Sequence, residues 1–358
     1  MKRKFLSIII PMVLVTFSIN SCAVKQENNN EKTITDMGGV EVTIPNNIEK
    51  VVCCSNPGVD MMLALGAGDS LIGVHKSIID NPWFYEFYPE ADELLLLDSY
   101  APEAENLISL DADIVFLPSE ENCEPLREKG ICAVCLRFYS IEETKQAVDL
   151  LGDIFGGEVS ENGDKWLSEL DSTISEVTGL LSDNGLNDKK SVYEVLGDKY
   201  RGLYRTNYGD NQAWITYAGG DIATKEFGGA TSANTPTEEA VLATNPDVIL
   251  ISGIYYEQLK NDLLADNKWS AVNAVINQEI YNVPIGCTSW SENASTYPLM
   301  IKYLFTTLYP QISSYSLNED VKNFYSEYNG LKFSDDKISY MLATLNPDGG
   351  SLCPQIEE

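Results

Sequence analysis

The chain has 358 residues, 24 of them Lys or Arg against 54 Asp or Glu, for a formal net charge of −30. That length points to two domains, and a hydrophobic content of 44% is enough to fill their cores, which excludes wholesale disorder. The charge excludes an electrostatic nucleic-acid binder, which needs clustered Lys and Arg to displace counterions. The single histidine, His75, excludes a two-histidine metal site.

The N-terminus is a targeting segment. Lys2, Arg3 and Lys4 precede an apolar run over 5–17, and Ile19, Asn20 and Ser21 lead to Cys22. A cationic start, a short apolar stretch and small residues before a cut make a secretory signal. The run is shorter than the roughly 20 residues that span a bilayer. The segment resembles a bacterial lipoprotein signal, cut before Cys22 with lipidation of its thiol, and residues 22–32 then form a polar tether. Cleavage removes three cations and no acids, so the mature surface is more acidic still, as suits an extracytoplasmic protein.

Short apolar runs then alternate with helix-like stretches. Strands are predicted at 50–54, 71–74, 113–117 and 131–136, with helices at 59–65, 103–110, 125–129 and 141–155. This alternation predicts an α/β lobe with a mostly parallel sheet over 33–157. From 159 to 181 the strand signals stop, and apolar residues at 159, 166, 167, 170, 174, 177 and 181 form a helical stripe. A helix of about 25 residues is about 37 Å long, so residues 158–186 read as a strut. Strand signals resume at 191–196, 247–252 and 280–283, with helices at 211–218, 237–244 and 295–308. These predict a second α/β lobe over 187–341, followed by a tail, 342–358. Seven cysteines follow Cys22 at irregular spacings, which gives no disulfide framework. Cys132 and Cys135 lie within the apolar run ICAVCLRF and read as strand residues, because a redox C-x-x-C sits at a helix N-terminus.

The two halves share a repeat. Residues 105–119, ENLISLDADIVFLPS, align with 239–253, EAVLATNPDVILISG, at a constant offset of 134. Glu105 matches Glu239, Asp113 matches Asp247, and the apolar positions between them coincide. Repetition this far apart predicts two similar lobes rather than a solenoid.

In these features the chain resembles the substrate-binding lipoproteins of bacterial ABC importers for iron–siderophore complexes, haem and cobalamin. The similarity runs from about Thr33 to Met341. It includes the opening ITDMGGVEVTIPNNIEKVVCC, the paired repeat (with Ala112 where proline is usual), the segment WSAVNAVINQEIYNVP and the closing SWSENASTYPLMIKYLFTTLYP. The resemblance implies two α/β lobes with mostly parallel sheets, joined by a single long helix that limits closure to a small motion. It also implies a metal chelate bound between the lobes, as a ferric siderophore, haem or corrinoid, and an ABC permease as partner. A monomer without cofactor and without enzymatic activity is expected. One glutamate on each lobe, Glu105 and Glu239, is then expected to dock on permease arginines, whose guanidinium forks pair with carboxylates.

Ligand loops belong at strand C-termini, which selects 55–60, 75–88, 200–214 and 287–293. Their aromatic residues, Trp83, Tyr85, Tyr204, Trp214 and Trp290, suit a large or flat ligand, and Trp290 matches the aromatic cleft position of the resembling family. Arg201 and Arg205 suit carboxylates or chelate oxygens. His75 either ligates a metal or caps a loop. A surface hydrolase is the alternative from another class, but no G-x-S-x-G elbow, histidine-rich motif or phosphate loop is present.

Overall fold

The computed structural model of the protein describes residues 30–186, 188–196, 202–204, 206, 209–227 and 236–353. Cys22, Arg201 and Arg205 lie outside the described residues. β1 (Glu31–Thr35) and β2 (Glu41–Pro45) form an antiparallel hairpin. β1 takes in the end of the expected tether, because the Lys32 ammonium donates to the carbonyls of Asp153 and Ile154 at a helix C-terminus, at 2.7 and 2.8 Å. The hairpin turn is built on Asp36. Its Oδ1 accepts from the amides of Gly38 and Val40, and its Oδ2 accepts from the Cys135 amide and the Arg127 guanidinium.

The N-terminal lobe contains β3 (Val51–Cys53), β4 (Leu71–His75), β5 (Leu95–Leu97), β6 (Ile114–Leu117) and β7 (Ala133–Cys135), all parallel, in the order β5-β4-β3-β6-β7. The C-terminal lobe contains β8 (Ser191–Val195), β9 (Asp221–Ile222), β10 (Val248–Ile251) and β11 (Ile280–Asn282), also parallel, in the order β11-β10-β8-β9. Alternation along each strand serves two cores. Val51 and Cys53 face the central core while Val52 and Cys54 face an outer one, and Val248 and Leu250 face inward while Ile249 and Ile251 face outward. Burial on both faces is why these parallel strands read as unbroken apolar runs.

The repeat holds in three dimensions. Helices Ala104–Ile108 and Glu238–Thr244 feed β6 and β10. Asp111 and Asn245, also 134 apart, both turn the chain in the left-handed region, at φ 50° and 43°. Asp113 Oδ2 then accepts from the amides of Glu49 and Lys50, and Asp247 Oδ2 accepts from the Ser191 amide. In each lobe the repeated aspartate secures the start of the neighbouring strand.

The strut is the 27-residue helix Gly157–Asp183, about 40 Å long. Gly156 and Gly157, at φ 65° and 50°, reverse the chain from the preceding helix Ile141–Phe155. The two helices touch closely: a Cβ at Gly152 would lie 3.3 Å from the Ser160 Cα. Trp166, Leu170 and Val177 on the strut join residues of both lobes in one continuous core. The C-terminal helices Leu317–Tyr328 and Asp335–Leu342 fasten onto the N-terminal lobe. Phe87 meets Tyr325 at 5.0 Å between ring centroids, and Glu86 pairs with Lys337. Aromatic packing and an ion pair thus link chain regions that the sequence pattern kept apart.

Trp166 Nε1 donates to the buried Ser295 carbonyl at 2.7 Å. Trp166→Phe keeps an aromatic ring but strands that carbonyl, so it is expected to cost about 1–3 kcal/mol. Urea unfolding measures this, and an unchanged midpoint would remove the hydrogen bond from the account.

Candidate ligand cleft between the lobes

In both sheets the strand order reverses beside the lobe's first strand, between β3 and β6 and between β8 and β10. Such points open a crevice at the strand C-termini. A cleft of about 200 Å³ lies there, walled by residues of both lobes. Asn56, Ser77, Asp80 and Asn81 come from loops after β3 and β4. Gly253 and Ile254 follow β10, and Thr288, Ser289 and Glu292 follow β11.

Local chemistry sets the first wall. Ser55 caps helix Asn56–Leu65 by accepting from the Gly58 amide, Pro57 begins the helix, and Gly66 at φ 89° ends it. His75 caps the turn Lys76–Ile78, its Nδ1 accepting from the Ser77 amide at 3.2 Å. Its ring stacks on Tyr100 at 3.6 Å, and burial lowers its pKa, in keeping with a neutral, proton-accepting Nδ1. Of the two roles open to His75, the geometry shows the capping one.

The second wall is tied to the first. Asn81 Nδ2 donates to the carbonyls of Gly286 and Cys287, at 2.8 and 3.0 Å. Asp60 Oδ2 accepts from the Ser295 amide at 2.8 Å, and Thr144 Oγ1 shares its one proton between the carbonyls of Ser140, at 2.9 Å, and Asn293, at 3.1 Å. Gly286 is required by close approach, since a Cβ there would fall 2.4 Å from the Tyr325 hydroxyl. Acids gather at this junction. Burial raises the Asp60 pKa, and the Glu292 carboxyl is pushed up to about 7, first by burial and then by the charges of Asp60 and Glu194. Burial also drives the Cys287 thiol and the Tyr325 phenol well above their usual ranges.

The aromatic expectations are corrected by packing. Trp83 is fully buried, donates to the Leu345 carbonyl and meets Phe333 edge-on. Trp214 is 1% exposed in the central core. Trp290 is fully buried and donates to the Tyr325 hydroxyl at 3.3 Å. Tyr204 stacks on Trp269 in the outer core of the C-terminal lobe, at 5.8 Å. Tyr85, 38% exposed, stands on the surface with its hydroxyl beside Asp92. Each ring is spent on packing or surface contacts, and none lines the described cleft. The small polar residues Asn56, Ser77, Thr288 and Glu292 do line it. They fall in or beside three of the four expected loops, but no motif distinguishes them there.

Glu105 and Glu239 are both exposed in the first turn of the repeated helices. Glu105 lies 3.4 Å from Lys129, and its own backbone amide, then Lys129, lowers its pKa. Its neighbour in the C-terminal copy, Glu238, pairs with Lys268 instead. A wider groove along the strut, with Glu169, Glu176 and Lys302 in its walls, is built from helix residues and touches neither strand-end crevice.

Because the folded pKa of Glu292 is raised, its protonated form stabilises the fold at acid pH, and that contribution is lost as pH rises through 7. Glu292→Gln cannot ionise. The variant is expected to match the parent near pH 4, below the ordinary carboxyl value of 4.5, and to exceed its stability above pH 7, by roughly 1–3 kcal/mol. Urea unfolding at both pH values tests this, and a pH-independent difference would contradict it.

Residues 51–285, more than half of the chain, match the periplasmic binding protein family. The molybdate-binding protein MolA of Haemophilus influenzae is 21% identical over 374 residues, spanning 94% of this chain and 99% of that protein. The structure of MolA bound to molybdate aligns with a TM-score of 0.73, at 19% identity, over 85% of this chain and 99% of that one. A periplasmic solute binding protein from Veillonella parvula aligns with a TM-score of 0.72, at 23% identity, over 88% and 97% of the two chains. YvrC of Bacillus subtilis, described as an uncharacterized ABC transporter substrate-binding lipoprotein, is 23% identical over 70% of this chain and 77% of its own length. With its two parallel-sheet lobes, its strut and its shared cleft, the chain belongs to the periplasmic binding protein family and is a non-enzymatic, substrate-binding component of an ABC importer.

Proposed function

We propose that the protein is a lipid-anchored receptor that takes a metal chelate of the ferric-siderophore kind between its lobes and delivers it to the permease. The observation that carries this reading is a polar cleft built jointly by both lobes, in which buried side-chain atoms of Asn56 and Thr288 have no partner. A cleft whose polar side chains have unmet hydrogen-bonding capacity is suited to a ligand that supplies it. Anchoring through Cys22 rests on the signal-like N-terminus and agrees with the lipoprotein description of YvrC. No helix among the described residues is long and apolar enough to cross a membrane.

Haem or a corrinoid is the second reading within the same transport role. It ranks lower because the indoles expected to form flat walls are packed in the cores. In both readings Glu105 and Glu239, exposed at matching positions of the two repeats, dock on the permease, so that the spacing of the lobes is sensed as a spacing of carboxylates.

Calorimetric titration of residues 23–358 with ferric chelates, haem, cobalamin and molybdate tests the ligand, and uptake by cells carrying Glu105→Ala with Glu239→Ala tests the docking. Saturable sub-micromolar binding to a ferric chelate is expected, with uptake abolished in the double variant and affinity unchanged. Binding to haem or cobalamin alone would move the ligand to the second reading, and to molybdate alone would reject the chelate. A matching loss of affinity in the double variant would reject the docking role.

A further inference from the structure

Helix Glu120–Glu128 crosses from β6 to its parallel neighbour β7, so it runs antiparallel to both strands. In its last turn Arg127 Nε donates to the Ala133 carbonyl at 2.7 Å, which sets the helix level with β7. Four residues back along the helix, about 6 Å, stands Cys123. Two residues forward along β7, about 6.6 Å, stands Cys135. The helical period returns Cys123 to the side of Arg127, and the strand period returns Cys135 to the face of Ala133. The two cysteines therefore meet. Both are fully buried in the outer core of the N-terminal lobe, and their thiols hydrogen-bond to each other.

Two other uses of these thiols are closed. The Cys123 sulfur lies within 4.8 Å of a carboxylate oxygen of Asp36 and one of Glu120, a grouping that suits a metal ion. Arg127 pairs with both carboxylates and fills the place of that cation. Cys132, the other member of the C-x-x-C, packs against the central core, so the motif itself is not the pair. The main chain of Cys135 also carries the turn of the N-terminal hairpin. Its amide donates to Asp36 Oδ2 at 2.9 Å, and its carbonyl accepts from the Met37 amide at 3.2 Å.

We propose that Cys123 and Cys135 are a modification site, oxidised to a disulfide as the exported chain folds, which fastens helix Glu120–Glu128 to β7 and, through Cys135, to the hairpin. The chain belongs to a periplasmic family, and outside the cytoplasm is where disulfides form and persist. The pair is in its dithiol form in this structure. The oxidant is a disulfide-bearing redox partner of that compartment. One cysteine thiolate attacks a sulfur of the oxidant, whose other sulfur departs as a thiolate. The second cysteine thiolate then attacks the first cysteine's sulfur and releases the oxidant as a dithiol. Two electrons pass to the oxidant, and the two thiol protons end on its sulfurs. Burial sets the order of events: the bond forms before the core closes, and afterwards neither sulfur is open to attack.

The test refolds residues 23–358 in a buffer of oxidised and reduced glutathione, then alkylates the free thiols in denaturant. Five of the seven cysteines are expected to be alkylated, leaving two in one bond. Trypsin cuts at Arg127 and Lys129, between the two sites, so the bond holds two peptides together, and their fragment masses are expected to assign it to Cys123 and Cys135. Reduction is expected to lower the melting midpoint by about 5 °C in the parent and in Cys132→Ala, and to leave Cys123→Ala and Cys135→Ala unmoved. Seven alkylated cysteines, or a bond through Cys132, would overturn the inference. A midpoint that reduction does not move would overturn the fastening role. Alkylation and the peptide map need only the parent, so they decide the bond even if an alanine variant fails to fold.

Discussion

The site depends on how Ser295 is held. Its amide donates to Asp60 on the first helix of the N-terminal lobe, and its carbonyl accepts from Trp166 on the strut. Two residues earlier, the Asn293 carbonyl and the Ser140 carbonyl share the hydroxyl proton of Thr144, on the helix that precedes the strut. The second wall of the cleft, 285–292, ends at this junction. A segment that closes the C-terminal lobe's crevice is thus anchored by the N-terminal lobe and the strut. These bonds lie within one continuous apolar core, where an unmade hydrogen bond costs far more than at the surface. A hinge that swung the lobes apart would have to break them together, so the architecture favours small adjustments over wide opening.

A cleft held in this way is largely formed before the ligand arrives, which lowers the ordering cost of binding. Its acids are tuned by the same burial. Glu292 sits near its midpoint at neutral pH because of its burial first and then the charges of Asp60 and Glu194. A raised carboxyl pKa often marks a catalytic acid, but the family to which the chain belongs is one of binding proteins. The chemistry is recognition: ligand binds through differential affinity for one arrangement of the lobes, and the exposed faces of the two repeated helices are available for a partner.

The fold was legible because parallel strands buried on both faces leave continuous apolar runs, and because the strut keeps a helical stripe for its whole length. The offset of 134 was legible for the same reason. Its left-handed residues, Asp111 and Asn245, were not, since neither is a glycine and both read as ordinary loop positions. The short strands Leu95–Leu97 and Asp221–Ile222 and the helices Tyr256–Ala265, Leu317–Tyr328 and Asp335–Leu342 are likewise not legible in the sequence. The two strands are too brief to show a period, and the helices pack on neighbours that the sequence does not name.

The cleft was half legible. Strand ends indicated three of its loops, but the residues chosen within them were aromatic, and a Trp in a loop serves a core as readily as a ligand. Trp83 and Trp290 each spend their one donor inside the protein, on Leu345 and Tyr325. Asn56 and Thr288 have no motif around them, and only their unpaired buried atoms set them apart.

Hydrogen exchange at the Ser295 amide tests the central claim most directly. If Ser295 fixes the two walls together, this amide exchanges only through global unfolding, and ligand leaves its protection unchanged relative to that limit. Fast exchange of 293–296 in the unloaded protein, slowed by ligand, would show that the junction opens and would contradict the account.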